Sequence, residues 1–145
     1  MSELRIERRY PVTPEHLFAF VTEPANLVQW WGPEGVAIET HDLDLGRSGP
    51  WSLTFINPGG GSFAMRGNVL SVTPPHAVEF TMNVPGEDTD STVRFEIAPD
   101  GDGGSRFTLI QSGISDQMVA MGQHGWGSTL RRLEKLMGVS VRPAA

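Results

Sequence analysis

Between Trp51 and Leu109 apolar residues recur at every second position. Trp51, Leu53 and Phe55 alternate with Ser52 and Thr54. Val78, Phe80, Met82 and Val84 alternate with Glu79, Thr81 and Asn83, Val93, Phe95 and Ile97 with Arg94 and Glu96, and Phe107 and Leu109 with Thr108. A period of two marks strands with one apolar face, so the stretch predicts an antiparallel sheet buried on one side. Leu4 to Tyr10 alternates in the same way and is stopped by Pro11. Turn chemistry separates the runs, at Pro58-Gly59-Gly60-Gly61, Pro74-Pro75, Pro85-Gly86-Glu87-Asp88 and Asp100-Gly101-Asp102-Gly103-Gly104, and predicts hairpins.

Helical signals flank the strands. Thr13-Pro14-Glu15 is a helix start, with Thr as cap and Pro at the first helical position, and Leu17, Phe18 and Val21 form the apolar face. A second short helix is predicted from Pro24 to Gln29, broken by Gly32-Pro33 just after Trp30 and Trp31. Past Ser112-Gly113 the period becomes 3.6, which predicts a helix from about Ser115 to Met137. Val119, Gly122, Trp126, Thr129, Leu130, Leu133, Leu136 and Met137 share one face. Gln123, His124, Arg131, Glu134 and Lys135 are read as the opposite one. Such a helix must lie across the apolar face of the sheet, because neither surface has another partner. Gly122 and Gly125 beside Trp126 each cost up to about 1 kcal/mol relative to alanine. Two readings account for them, a close helix-to-sheet contact or room for a ligand beside Trp126.

Composition narrows the class. A chain of 145 residues is one ordinary domain, and 39% apolar with 19% charged residues is globular. No apolar run approaches the roughly 20 residues that span a bilayer, and Met1-Ser2-Glu3-Leu4-Arg5 does not read as a signal peptide, so a soluble, cytoplasmic protein is expected. The absence of cysteine removes disulfides, thiolate nucleophiles and thiolate metal sites. A net charge of −6 argues against nucleic acid or an anionic membrane as partner. Exposed strand edges and an apolar rim would support a homodimer.

Candidate chemistry is sparse. His16, His41, His76 and His124 lack metal-site spacing and read as surface residues. Asp100 to Gly104 lacks the further ligands of a calcium loop, Gly59-Gly60-Gly61 is not followed by the lysine of a phosphate loop, and no serine lies in a nucleophile elbow. Neither metal nor cofactor is expected. Two polar residues do fall on apolar registers, Arg8 with Leu4, Ile6 and Tyr10, and Gln111 with Phe107 and Leu109. They could form a polar anchor at one end of an apolar pocket, suited to a carboxylate or carbonyl; alternatively, Arg8 reaches out to water.

Four blocks carry a resemblance. Pro24-Ala25-Asn26-Leu27-Val28-Gln29-Trp30-Trp31-Gly32-Pro33, Asp44-Leu45-Gly46-Arg47-Ser48-Gly49-Pro50-Trp51, Gly67-Asn68-Val69-Leu70-Ser71-Val72-Thr73-Pro74-Pro75, and His124-Gly125-Trp126-Gly127 with Leu130 and Leu133 follow one another in this order. Together they resemble the Hsp90-ATPase-activator-homologue-like branch of the START/Bet v 1-like superfamily over nearly the whole chain. The resemblance implies an α+β helix-grip fold, with a curved antiparallel sheet of six to seven strands around a long C-terminal helix. Two short N-terminal helices close one end, and a hydrophobic cavity lies between. It implies a single START-like domain over residues 1–138 and a C-terminal tail over 139–145. Arg47-Ser48-Gly49-Pro50 departs from the Pro-Gly-Gly type of turn that relatives often carry there.

Residues expected to bind a ligand are Trp30, Trp31, Trp51, Phe55, Met65, Phe80, Met82, Phe95, Gln111, Gly122, Gly125, Trp126 and Arg8. Trp126 is expected as a wall of the pocket, and Trp30 and Trp31 as a lid, one plugging the mouth and the other partly exposed. Three functions on this fold follow. The first is a binding module for a hydrophobic or amphipathic small molecule, lipid-like or aromatic. Another is a chaperone-activator-like interaction domain of the stress response, in which Trp30-Trp31-Gly32-Pro33 or the acidic surface meets a protein. The Hsp90 activator has an additional N-terminal domain that contacts the chaperone, and this chain is expected to lack one. A third is a cyclase- or hydratase-type enzyme, which would need Arg8, Gln111 or Asn68 to converge in the cavity.

Overall fold

The period-two stretches build one antiparallel sheet that wraps a long helix. A computed structural model describes residues 2–83 and 88–139, and the backbone alone of residues 142–143. In chain order the elements are β1 (Ser2–Tyr10), α1 (Pro14–Thr22), α2 (Pro24–Trp30), β2 (Ala37–Asp42), β3 (Gly49–Ile56), β4 (Ser62–Thr73), β5 (Ala77–Met82), β6 (Ser91–Pro99), β7 (Ser105–Ile114), α3 (Asp116–Met137) and β8 (Arg142–Pro143). Sheet order is β2-β3-β4-β5-β6-β7-β1-β8, with every neighbouring pair antiparallel. Seven strands curve around α3 in the helix-grip arrangement, and the two-residue β8, from the segment expected to be a tail, pairs with Arg8 and Arg9 of β1. Val84, Pro85, Gly86 and Glu87 lie outside the described residues.

Local chemistry sets the helix ends. The Thr13 hydroxyl accepts the His16 N–H at 3.3 Å at the start of α1. Gly138, with φ of 68°, ends α3 as its N–H and that of Val139 return to the carbonyls of Lys135 and Glu134.

Two strands were not legible as alternation. β2 is almost wholly exposed, with Ile38 half-buried as its only inward-packing apolar residue, so it carries no apolar stripe. β4 turns Phe63, Met65, Gly67 and Val69 inward, then slips register between Val69 and Ser71, which leaves Leu70 exposed and returns Val72 to the core face. Gly67 is dictated by packing. Trp51, opposite it on β3, passes its indole over Gly67 to donate to the Thr81 carbonyl of β5 at 3.0 Å, and a Cβ at position 67 would collide with that carbonyl.

Glu134 departs from its expected place on the polar face. It is 7% exposed and accepts a 2.7 Å hydrogen bond from the Tyr10 hydroxyl, with Arg8 Nε at 3.9 Å. At about 100° per residue it lies only about 40° round the helix from the buried Leu130, so its position outweighs its charge. Burial holds the Glu134 carboxyl above its ordinary range. An acid whose pKa is raised by folding contributes stability below its unfolded pKa, about 4.3, that is lost as pH rises through the folded value. Glu134→Gln, which can still accept from Tyr10, is therefore expected to lose less unfolding free energy between about pH 4 and pH 7 than the parent. Urea titrations across that range measure it, and an unchanged slope would assign the titration to another group.

Candidate functional site

The site grows from the loop after α2. Trp31 follows the last turn of that helix, whose carbonyls would otherwise lack partners. Arg132 of α3 satisfies one of them, on Gln29 at 3.3 Å, and donates beyond the helix to the Trp31 and Gly32 carbonyls at 3.1 Å and to Pro33 at 3.4 Å. Ser128 accepts the Glu34 N–H at 2.9 Å, and the Glu34 carboxylate accepts from Ser128 and Arg131. Gly32, at φ 96°, leaves its side-chain space to the Phe55 ring, 2.5 Å from where a Cβ would be. Clamped in this way, Trp31 places its ring centroid between 5.7 and 5.9 Å from those of Trp30, Trp51, Phe80 and Trp126, within the range of favourable aromatic pairs.

Trp126 is fixed by a buried polar chain. Its indole N–H donates to Gln111 Oε1 at 2.9 Å, Gln111 Nε2 donates to the Ser91 hydroxyl at 2.8 Å, and that hydroxyl donates to the Met82 carbonyl at 3.0 Å. Gln111 and Ser91 are both buried, so this chain satisfies groups that water does not reach.

Between Trp31, Trp126, the N-terminal half of α3 and the ends of β4, β5 and β7 lies a cavity of about 420 Å³. Four of the chain's six methionines line it: Met65, Met82, Met118 and Met121. Among the described residues no charged side chain does, and the polar lining is Gln111, Asn83 and Thr129. Methionine's flexible, polarisable side chain suits a wall that adapts to varied apolar shapes.

Of the residues expected at a site, the structure brings together Trp31, Met65, Met82, Gln111, Gly122, Gly125 and Trp126. Trp30, Trp51, Phe55, Phe80 and Phe95 stand in the core behind that wall. The expected lid is corrected, since Trp30 is 0% and Trp31 2% exposed and neither ring is free. Trp30 is instead anchored by its indole to the Phe20 carbonyl at 2.9 Å. The Arg8–Gln111 anchor is also corrected. Register sets Leu4 opposite Gln111 and Arg8 opposite Phe107, which separates the two by about 13 Å along the sheet. Arg8 is half-buried beside Glu134, outside the cavity. Asn68 is exposed, so the polar groups that an enzyme of cyclase or hydratase type would need do not converge. All four histidines are exposed, and no group of three potential metal-binding side chains occurs among the described residues.

Met118, Met121, Ile114 and Thr129 were missed, as was the clamping role of Arg132. One signal was present. Positions 118, 121, 122, 125 and 129 form a stripe about a quarter turn from the Trp126 face, so α3 carries two adjoining inner faces. The glycines divide between the two readings. A Cβ on Gly122 would come within 2.6 Å of Leu4 Cδ2, whereas one on Gly125 would meet nothing within 4 Å. Close contact explains Gly122, and open cavity surrounds Gly125. Gly125→Ala is expected to raise stability by up to about 1 kcal/mol, while Gly122→Ala loses that gain to the clash with Leu4. Thermal melts of the two variants check this, and equal shifts would contradict the division.

Known proteins share this fold. A family model described as Activator of Hsp90 ATPase homolog 1-like protein matches residues 11–138. The AHSA1 protein from Silicibacter pomeroyi is similar with a TM-score of 0.87 and 37% identity, over 94% of this chain and 98% of that one. A protein from Nitrosomonas europaea reaches 0.79 at 26% identity, over 94% of each chain. An HSP90 activator from Plasmodium falciparum reaches 0.69 at 22% identity, over 98% of this chain and 100% of that one, a likeness of fold. Among curated proteins no sequence matches the chain.

Proposed function

As the chain belongs to the Activator of Hsp90 ATPase homolog 1-like family, we propose that it is a small-molecule-binding domain whose cavity receives a lipid-like or aromatic ligand. One observation carries this reading. A cavity of about 420 Å³ lies beside two ordered tryptophans, and its wall carries Gly125, where a side chain would meet only open space, in a helix where glycine is unfavourable. Ligand sites are typically concave, largely apolar and of roughly this size, with a few fixed polar groups. The aromatic cluster and the Arg132 clamp support a preformed site, which limits the ordering cost of binding.

The neutral dye N-phenyl-1-naphthylamine tests the proposal. Its fluorescence is expected to rise saturably with the protein. Gly125→Leu should weaken binding by about tenfold or more, a loss of about 1.4 kcal/mol, while the melting temperature stays near that of the parent. No binding, or equal binding by the variant, would sink the reading.

A second reading, contact with an Hsp90-type chaperone, is supported by the family description and by the Plasmodium activator's similarity. Since Trp30 and Trp31 are buried, this contact would fall to the acidic surface. It predicts stimulation of the ATPase of purified Hsp90 that weakens as salt is raised. A flat ATPase rate at equimolar protein would eliminate it.

A further inference from the structure

Resting on the small-molecule reading, we infer that the cavity selects uncharged ligands and rejects anionic ones. The class is an aromatic or aliphatic skeleton with at most a hydroxyl or carbonyl.

Selection against charge follows from the hydrogen-bond inventory of the wall. Gln111 has committed Oε1 to the Trp126 indole and one Nε2 hydrogen to Ser91, which leaves one N–H and one lone pair. The Thr129 hydroxyl donates to the Gly125 carbonyl at 2.9 Å and so offers a ligand only acceptor capacity. Asn83 likewise keeps one N–H and one lone pair after Oδ1 accepts the Arg66 N–H at 2.8 Å and Nδ2 donates to the Ala64 carbonyl at 3.3 Å. A buried carboxylate or sulfonate would therefore find at most two amide N–H donors among the described side chains and no cation, beside oxygens that repel it. A ligand hydroxyl or carbonyl could be satisfied by Gln111 alone.

Among the described residues, nearby cations do not serve the cavity. Arg8 stands by Glu134, Arg132 is turned into the carbonyls after α2, and the exposed Arg66 side chain lies 3.8 Å from Asp90. Burying an ion without a partner is strongly unfavourable, and the net charge of −6 adds a general repulsion of anions.

Two dyes with one skeleton test the inference. N-Phenyl-1-naphthylamine is neutral, and 8-anilinonaphthalene-1-sulfonate carries a sulfonate on the same ring system. Fluorescence titrations of the full chain are expected to give at least about tenfold weaker binding of the sulfonate, counting only signal lost in Gly125→Leu. Met121→Lys adds a cation at the wall from a position 66% exposed, where folding should tolerate it, and is expected to narrow the gap. Equal or tighter sulfonate binding at the site overturns the selection but leaves the cavity reading intact. A gap unchanged by Met121→Lys also overturns it, because charge would then not be the cause. Binding of neither dye overturns both.

Discussion

The hydrogen bond from the Trp126 indole to Gln111 fixes what apolar contact alone leaves free, the roll of α3 over the sheet. Hydrophobic burial is non-directional, so a helix presenting Trp126, Leu130 and Leu133 to an apolar surface could rotate by some tens of degrees at little cost. The indole donor ends that freedom. It must reach an acceptor, and the amide it reaches is itself held by Ser91 and, through it, by the Met82 carbonyl. Once the roll is set, the neighbouring stripe of Met118, Met121 and Gly125 has one orientation, and that orientation makes the cavity wall.

The cavity is thus a local failure of close packing with identifiable causes. Along most of α3 the side chains fill the curve of the sheet, and at Gly122 the helix comes so near β1 that Leu4 occupies the space of a side chain. One turn further, Gly125 has no such neighbour. Trp31 could close the gap only by moving, and Arg132, about two turns beyond Gly125 on the same side of the helix, holds its loop through the carbonyls of Gln29, Trp31, Gly32 and Pro33. One helix therefore holds both tryptophans in place.

Charge is segregated along this axis. Tyr10, Glu134 and Arg8 seal the C-terminal half of α3 with a buried carboxyl, an aromatic hydroxyl and a guanidinium, and Arg9 with Asp100 ties the adjacent hairpin at 2.9 Å. Among the described residues, the N-terminal half has none of this at its inner face. A helix of 22 residues spans about 33 Å, long enough to keep an ionic end and an apolar end apart. An apolar site separated in this way avoids desolvating ionic groups when a ligand enters.

The sequence by itself determined the elements and their buried faces, because alternation and helical period are one-dimensional records of which side meets water. The helix predicted from about Ser115 to Met137 is Asp116–Met137, and the inward Trp51, Phe80, Phe95 and Phe107 are core. β4 was obscured because the bulge at Leu70 breaks the alternation, and β2 because it is nearly all exposed. Only the tertiary structure decided matters that depend on what lies opposite a residue. Arg8 and Gln111 share an apolar register yet are four residues apart once β1 is paired with β7. Gly122 and Gly125 look alike in the sequence, and the presence of Leu4 across one and of nothing across the other separates contact from cavity. Trp30 and Trp31 are adjacent, but the first donates to Phe20 in the core while the second meets Trp126 at the cavity wall. Periodicity along a chain specifies faces, whereas strand register, helix roll and the empty space between elements arise only from packing those faces together.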